Sequence, residues 1–358
     1  MKNKEVIILI AILAILILVA GGVLIYKVVL HKDEKTENIV EVGTESSEED
    51  EALVVTQKEI KTFTGTDRPI AVMIDNHSGA WPQANLNQAY IVYEIIVEGG
   101  ETRLMALFKG KDVDKIGPVR SSRHYFLDYA LENDAIYVHY GWSPQAESDI
   151  KSLRVNNING ITESSSSFWR VKNKAAPHNV LTSTEKIKQM AERKKYTTTS
   201  DKESILNYSA DEIQLTAEDS IEATSVTIPH SDLHTVKYEY NAETQTYTRY
   251  ARGKLQKDYD TGEAVTTKNI IITYCDNYTL SDAENKGRQG LKNIGTFDGY
   301  YITNGKAIKI KCTKSARNMQ TEYKDLQGNE ITVNDGNTFI NICSPSNKVN
   351  IQGNAQAQ

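Results

Sequence analysis

The chain has 358 residues, of which 39% are hydrophobic and 25% charged, and its formal net charge is −6. That length suits about two domains, and the balance is that of a globular protein. The acidic balance speaks against a nucleic-acid partner, whose phosphates need a basic footprint, so any bound anion has to be held by a local group of arginines.

Val6 to Ile25 carries no charged side chain and is long enough to cross a bilayer as a helix. The run is too long for the core of a signal peptide and no Ala-x-Ala site follows it, so the sequence predicts an uncleaved membrane anchor over residues 1–27. Lys2 and Lys4 face Lys27, Lys32 and Lys35 across this span, and charge leaves the orientation open. Residues 28–65 read as a disordered tether, acidic from Asp33 to Glu51, with too little apolar surface to order itself.

Residues 66–200 predict a mixed α/β domain. Pro69 to Asp75 is a short apolar run ending in Asp75-Asn76-His77. That pattern fits a buried strand with functional groups at its carboxyl end, where open α/β sheets present ligands; a turn in which Asp75 and Asn76 satisfy backbone groups is the competing reading. Ala89 to Glu98 alternates as a strand, and Gly99-Gly100 suits a two-residue turn into a second strand, Thr102 to Phe108. In that register Ile96 lies opposite Arg103, which places Arg103 on the face of Glu94 and Glu98 and sets Glu98 opposite Glu101. Glu94 and Glu98 lie about 13 Å apart at the strand rise. Glycosidase carboxylates need about 5 to 9.5 Å, so these two cannot serve as such a pair alone.

Arg120 to Leu131 has helical spacing, with Phe126, Leu127, Ala130 and Leu131 on its apolar side and Arg120, Arg123 and His124 on another. Cations in a first turn oppose the helix dipole, so a negative partner is expected there, either a ligand or one of Asp75, Glu94 and Glu98. Asp134 to Tyr140 predicts a strand with His139 near its end. Ser143-Pro144 reads as an N-cap with proline at the first helical position, since no Gly-x-Ser-x-Gly elbow surrounds the serine. Ala176-Pro-His-Asn179 is a constrained turn that offers His178 and Asn179, and Thr182 to Glu185 has capping-box spacing for a helix reaching about Lys194. No metal-ligand spacing, phosphate loop or dinucleotide fingerprint is present, so neither metal nor cofactor is expected.

Arg68-Pro-Ile-Ala-Val-Met-Ile-Asp-Asn76, Val97-Glu-Gly-Gly-Glu-Thr-Arg103, Gly117-Pro-Val-Arg-Ser-Ser-Arg123 and Ala176-Pro-His-Asn179 together resemble the YerB-like family of Gram-positive envelope proteins. That family carries a domain of unknown function and is usually lipid-anchored. The resemblance covers roughly Thr66 to Pro345 and implies an extracytoplasmic location, but no established reaction. This chain departs from the pattern in having no lipobox cysteine, so its anchor is expected to be a helix.

Residues 201–345 predict a small antiparallel β-rich domain, with runs at Thr235 to Tyr240, Tyr247 to Tyr250, Ile270 to Tyr274 and Phe339 to Cys343. Asn304-Gly305 marks a hairpin between Tyr300 and Cys312. Cys275, Cys312 and Cys343 allow at most one bridge; a Cys312–Cys343 pair and buried thiols are both open. The tyrosines there could present a sugar-stacking face or simply pack a sheet. Residues 346–358 read as a disordered tail.

The function expected from these features is a single-pass membrane protein with its domains outside the cell, binding an anionic or glycan-like cell-wall ligand. Arg103, Arg120, Arg123, Asn76, Glu94 and Asn179 are the candidate contacts. Two alternatives stand beside it. One is a cell-wall polymer hydrolase using Glu98 or Asp75 with His139 or His178; the other is a scaffold for other envelope proteins.

Overall fold

Short alternating runs and continuous apolar runs, each ended by Gly, Asn, Asp or Pro, build a chain dominated by strands. The computed structural model describes residues 58–353 apart from 164–166, 217 and 219. In chain order the main elements are strands β1 (Ile70–Asp75), β2 (Ile91–Ile96) and β3 (Thr102–Phe108), helix α1 (Phe126–Glu132), strand β4 (Ile136–His139), helix α2 (Pro144–Ser152), strand β5 (Asn157–Asn159) and helix α3 (Thr184–Arg193). Then come β6 (Ser225–Pro229), β7 (Thr235–Asn241), β8 (Thr246–Ala251), β9 (Asn269–Tyr274), β10 (Gly295–Thr303), β11 (Lys306–Lys314), β12 (Glu322–Lys324), β13 (Thr338–Cys343) and β14 (Asn350–Gln352).

One mixed sheet runs through most of the chain in the order β12-β11-β10-β9-β13-β2-β3-β1-β4-β5. The order explains why β2 and β13 are almost wholly apolar. β13 lies parallel to both β9 and β2 in the middle of the sheet, where both faces are covered. β6, β7, β8 and β14 form a second sheet. It packs Val226, Ile228, Val236, Tyr238 and Tyr247 onto one face of the first, beside Ile187 and Met190 of α3. The opposite face packs Met73, Tyr93 and Met105 against Phe126, Leu127 and Ala130 of α1 and Ile150 of α2. Strands β1, β4 and β5 are parallel and β3 antiparallel to β1, so the carboxyl ends of β1, β2, β4 and β5 share one edge of the sheet with the start of β3.

Ser143 caps α2 by accepting the N–H of Ala146 at 3.2 Å, with Pro144 at the first position. The hairpin at Asn304-Gly305 is present, with φ of 50° and 74° at its two turn residues and Thr303 opposite Lys306. A Cβ at Gly305 would lie 3.0 Å from two ring carbons of Tyr240 and would require a left-handed backbone. Gly305→Ala is therefore expected to cost about 1–2 kcal/mol, read as a lower urea midpoint at unchanged slope.

Several expectations are corrected. The helix begins at Phe126, not Arg120. Residues 119–122 are extended, because Arg120 donates its N–H to Met73 O and accepts from Tyr140 N–H at its own carbonyl, spanning the ends of β1 and β4. The cap of α3 is Ser183, which accepts from Lys186 N–H, one residue beyond the expected Thr182. The second domain is not purely antiparallel, since β13 is parallel to both its neighbours. The expected disordered tail over 346–358 contains β14, which pairs with β6. The expected tether over 28–65 ends too late: Lys61 and Thr62 donate their N–H groups to the Asp335 carboxylate, and Phe63 packs on Tyr90. All three cysteines are free and buried, and Tyr238, Tyr247 and Tyr301 are packing residues rather than an exposed aromatic face. Among the described residues no helix is long and apolar enough to cross a membrane; the apolar run 6–25 and the acidic run 33–51 lie outside them.

Candidate functional site

The turn after β2 decides which residues meet. Glu98, Gly99 and Gly100 form a three-residue turn in which Gly99 and Gly100 both take positive φ, and Val97 N–H donates to Glu101 O. Ile95, not Ile96, therefore lies opposite Arg103. That one-residue shift moves Arg103 to the face opposite Glu94 and removes the expected Glu98–Glu101 opposition. Two polar groups result, one on each face of the sheet.

The first group gathers at the edge where β1 and β4 end. Asp75, 3% exposed, lies opposite Arg103 across β1 and β3. Its Oδ2 accepts from His178 Nδ1 at 2.7 Å and pairs with Arg120 Nε at 3.1 Å, and its Oδ1 accepts from His77 N–H. The His77 and His178 rings stack at 4.5 Å. Beside them Glu98 is gripped by Arg123 through both carboxylate oxygens and touched by Arg103 at 3.3 Å. Arg103 also donates to Ser121 O, and Arg123 to Ser122 O.

Three guanidiniums thus crowd two carboxylates. Burial, then the charge of Arg123, pulls Arg103 down to about 10. Burial would raise the Glu98 carboxyl, but the Arg123 hydrogen bond and the charges of Arg103 and Arg123 outweigh it and hold the group at about 2. Glu98 is therefore a fixed carboxylate at neutral pH with no proton to donate.

Arg120, its side chain 28% exposed, leads from this group into a cleft of about 440 Å³. Tyr140, Trp142, Asn159, Thr162 and Arg170 line the same cleft, and among the described residues none that lines it is acidic. Arg170 lies over the Tyr140 ring at 5.3 Å and is held by Asn179 Oδ1 at 2.6 Å, while Asn179 Nδ2 ties the loop at Val171 O and Lys174 O. Asn179 acts on the site by orienting Arg170.

His139 stays behind this surface. It is buried, its Nδ1 meets Gly141 O at 2.8 Å and its Nε2 meets Asn157 Oδ1 at 3.2 Å, and burial lowers its pKa to about 4. It positions the Gly141-Trp142 turn and is withdrawn as a catalytic candidate. Another cleft, of about 460 Å³, lies between Leu215, Ile221, Tyr300 and Leu326, but among the described residues no buried charged group converges on it. Among the described residues no cluster of three or more His, Cys, Asp or Glu side chains is placed to hold a metal ion.

Residues 55–197 match the family model described as the N-terminal domain of a protein of unknown function, DUF3048, and residues 225–340 match its C-terminal domain. A Bacillus subtilis (strain 168) protein named "Putative lipoprotein YerB" is 31% identical over 286 residues, covering 77% of this chain and 81% of that protein. The chain belongs to the DUF3048 family. The crystal structure of YerB from Bacillus subtilis is also similar, with a TM-score of 0.70 at 28% identity over 79% of this chain and 94% of that one.

The second polar group joins the two DUF3048 domains. Glu94 on β2 is fully buried, and Asn76 Nδ2, Thr102 Oγ1 and His234 Nε2 converge on its Oε1 within 3.0 Å. Its Oε2 accepts from Arg249 Nη2 at 2.8 Å. Arg252 donates to His234 Nδ1, which leaves the proton of that imidazole on Nε2, facing the carboxylate. Burial opposes the charge on Glu94, yet Arg249 and His234 hold its pKa well below the usual value. Asn76 and Glu94 are thus taken out of the ligand-contact set: they sit inside this network, on the far face from Arg103 and Arg120. Sequence reasoning missed Arg249, His234, Tyr140, Trp142 and Arg170, whose neighbours in the chain do not mark them.

Proposed function

We propose that this DUF3048 protein is a membrane-anchored envelope protein that holds an anionic, glycan-like cell-wall ligand in the cleft beside Arg120. The observation that carries the reading is the lining: two guanidiniums, Arg120 and Arg170, with Tyr140 and Trp142 and, among the described residues, no carboxylate. Guanidiniums grip carboxylate or phosphate oxygens, and aromatic faces suit sugar rings. Arg103 and Arg123 contribute by neutralising Glu98, so that Arg120 keeps unshared donors toward the cleft. Support for the location comes from the relative's name, "Putative lipoprotein YerB", and from the uncharged run Val6 to Ile25, which would replace the lipid with a helix and leave both domains outside the cell.

The test uses the full chain in detergent and a soluble anionic wall polymer. Arg120→Ala and Arg170→Ala are each expected to weaken binding by about 1.5–3 kcal/mol, the worth of a charge-assisted contact. The melting temperature should hold in Arg170→Ala, whose guanidinium pairs with Asn179, and fall less in Arg120→Ala than in Arg123→Ala, because Asp75 keeps His178 and the His77 N–H as partners. Unchanged binding in both variants would overturn the reading.

One contact favours a second reading, hydrolysis of the bound polymer. Asp75 fixes His178 through Nδ1, leaving Nε2 without a hydrogen-bond partner among the described residues and available as a base. Under this reading purified cell walls release fragments on incubation with the wild type and not with His178→Gln. Intact walls after prolonged incubation with the wild type would leave binding alone.

A further inference from the structure

The cleft beside Arg120 does not end at Tyr140. A second cleft of about 400 Å³ adjoins it, and the two share Tyr140, Ile161 and Arg170 as a common wall. The Arg170 guanidinium lies over Tyr140 in that wall, so a single cation is presented to both spaces. Ile161 is 62% exposed at the same place, an aliphatic side chain that a ligand spanning both clefts would cover.

The two spaces differ in chemistry. The first has Arg120 and Trp142 and, among the described residues, no acidic lining residue. The second has Phe168, Trp169 and Glu163, the last bound to Lys194 at 2.6 Å. Paired guanidiniums suit an oxyanion. An indole face with a carboxylate beside it suits a sugar ring, whose hydroxyls donate to the carboxylate while its C–H face meets the indole. Each space is of the size that holds one small ligand, so filling both takes a chain.

We propose that the two clefts are consecutive subsites for a linear glycan bearing anionic groups. An oxyanion sits between Arg120 and Arg170, and the next ring lies on Trp169. This rests on the reading of the first cleft as an anion site. Carboxylate and phosphate share the chemistry that the arginines recognise, and the experiment separates them by probe.

Isothermal titration of the full chain in detergent would use oligogalacturonates of one, two and four units and phosphodiester-linked N-acetylglucosamine oligomers of the same lengths. Neutral chito-oligosaccharides serve as the control series. In whichever anionic series binds, four units are expected to bind about tenfold tighter than one, the worth of one more stacked ring. Trp169→Ala should abolish that gain while leaving the affinity for one unit unchanged. The chain has three tryptophans, Trp81, Trp142 and Trp169. In Trp142→Phe, the fluorescence should respond to four units and stay flat with one, a readout that does not depend on how Trp169→Ala folds.

Equal affinities for one and four units, or a flat signal from Trp142→Phe under conditions where titration shows that this variant binds four units, would overturn the two-subsite arrangement and leave the anion site standing. A neutral series that binds as tightly as the anionic ones would overturn the anionic requirement. Failure of every anionic probe to bind the wild type would remove the anion site itself, and with it this proposal.

Discussion

Arg249→Met is expected to lower the stability of the protein by about 3–5 kcal/mol, the cost of leaving a buried carboxylate without its cation. Glu94 and Arg249 are both fully inaccessible, and the pair spans 2.8 Å between β2 and β8. His234 would still meet Glu94, but that single contact does not replace the Arg249 guanidinium. The double variant Glu94→Gln with Arg249→Met should recover most of the loss. Once both charges are gone, the Gln carbonyl still accepts from Asn76 and Thr102, and Met fills the stem volume against Phe339. Urea unfolding of the wild type, both single variants and the double variant gives the coupling energy directly. A double variant that loses as much as the sum of the singles would show that Glu94 and Arg249 do not act as a pair. Because one partner lies in each DUF3048 domain, the same measurement reports how strongly the network holds the second sheet, which carries Arg249, against the first, which carries Glu94.

Arg123→Ala is expected to cost about 2–3 kcal/mol at neutral pH, in contrast to Arg120→Ala, whose effect should fall on binding. Arg123 makes two hydrogen bonds to Glu98 and is 8% exposed, whereas Arg103 reaches the same carboxylate with one longer contact. Hydrogen bonds to charged groups are worth about 1.5–3 kcal/mol, and the remaining Arg103 contact keeps the loss below that of a wholly unpaired carboxylate. The pH dependence has a defined sign. The folded Glu98 carboxyl titrates at about 2, below its ordinary value of 4.5. Its stabilising contribution is therefore complete above pH 4.5 and is lost as the pH falls toward about 2. The difference in stability between wild type and Arg123→Ala should be largest at pH 7 and shrink across that window. A difference that stays constant down to pH 2.5 would show that Arg123 stabilises through packing and not through Glu98.

Much of the architecture was legible because it is set locally. Val72, Ile74, Val92 and Leu104 announce strands through composition alone, since β-branched and long apolar side chains fit a pleated, covered surface. Asn304-Gly305 fixes its hairpin because both turn positions need positive φ, and Ser143-Pro144 starts α2 because a hydroxyl and a preset φ suffice. The sequence also placed Asp75, Arg120 and His178 in neighbourhoods that do converge.

The tertiary structure decided what local rules left degenerate. Ile95, Ile96 and Val97 are all apolar, so hydrophobic alternation loses its phase at the end of β2 and permits either a two-residue or a three-residue turn at the glycines. The longer turn prevails where Glu98 meets Arg103 and Arg123, and the side of the sheet on which Arg103 falls follows from it. Helical spacing at Arg120 was equally misleading. The apolar side that specifies a helix begins only at Phe126, and the backbone of residue 120 is claimed by β1 and Tyr140. The pairing of Glu94 with Arg249, 155 residues away, and the meeting of Arg120 with Arg170 across a cleft depend on β13 entering the sheet beside β2 and on the loop that carries Asn179. No local pattern encodes such contacts, because each residue is chemically ordinary until long-range packing excludes water and brings its partner within hydrogen-bond reach.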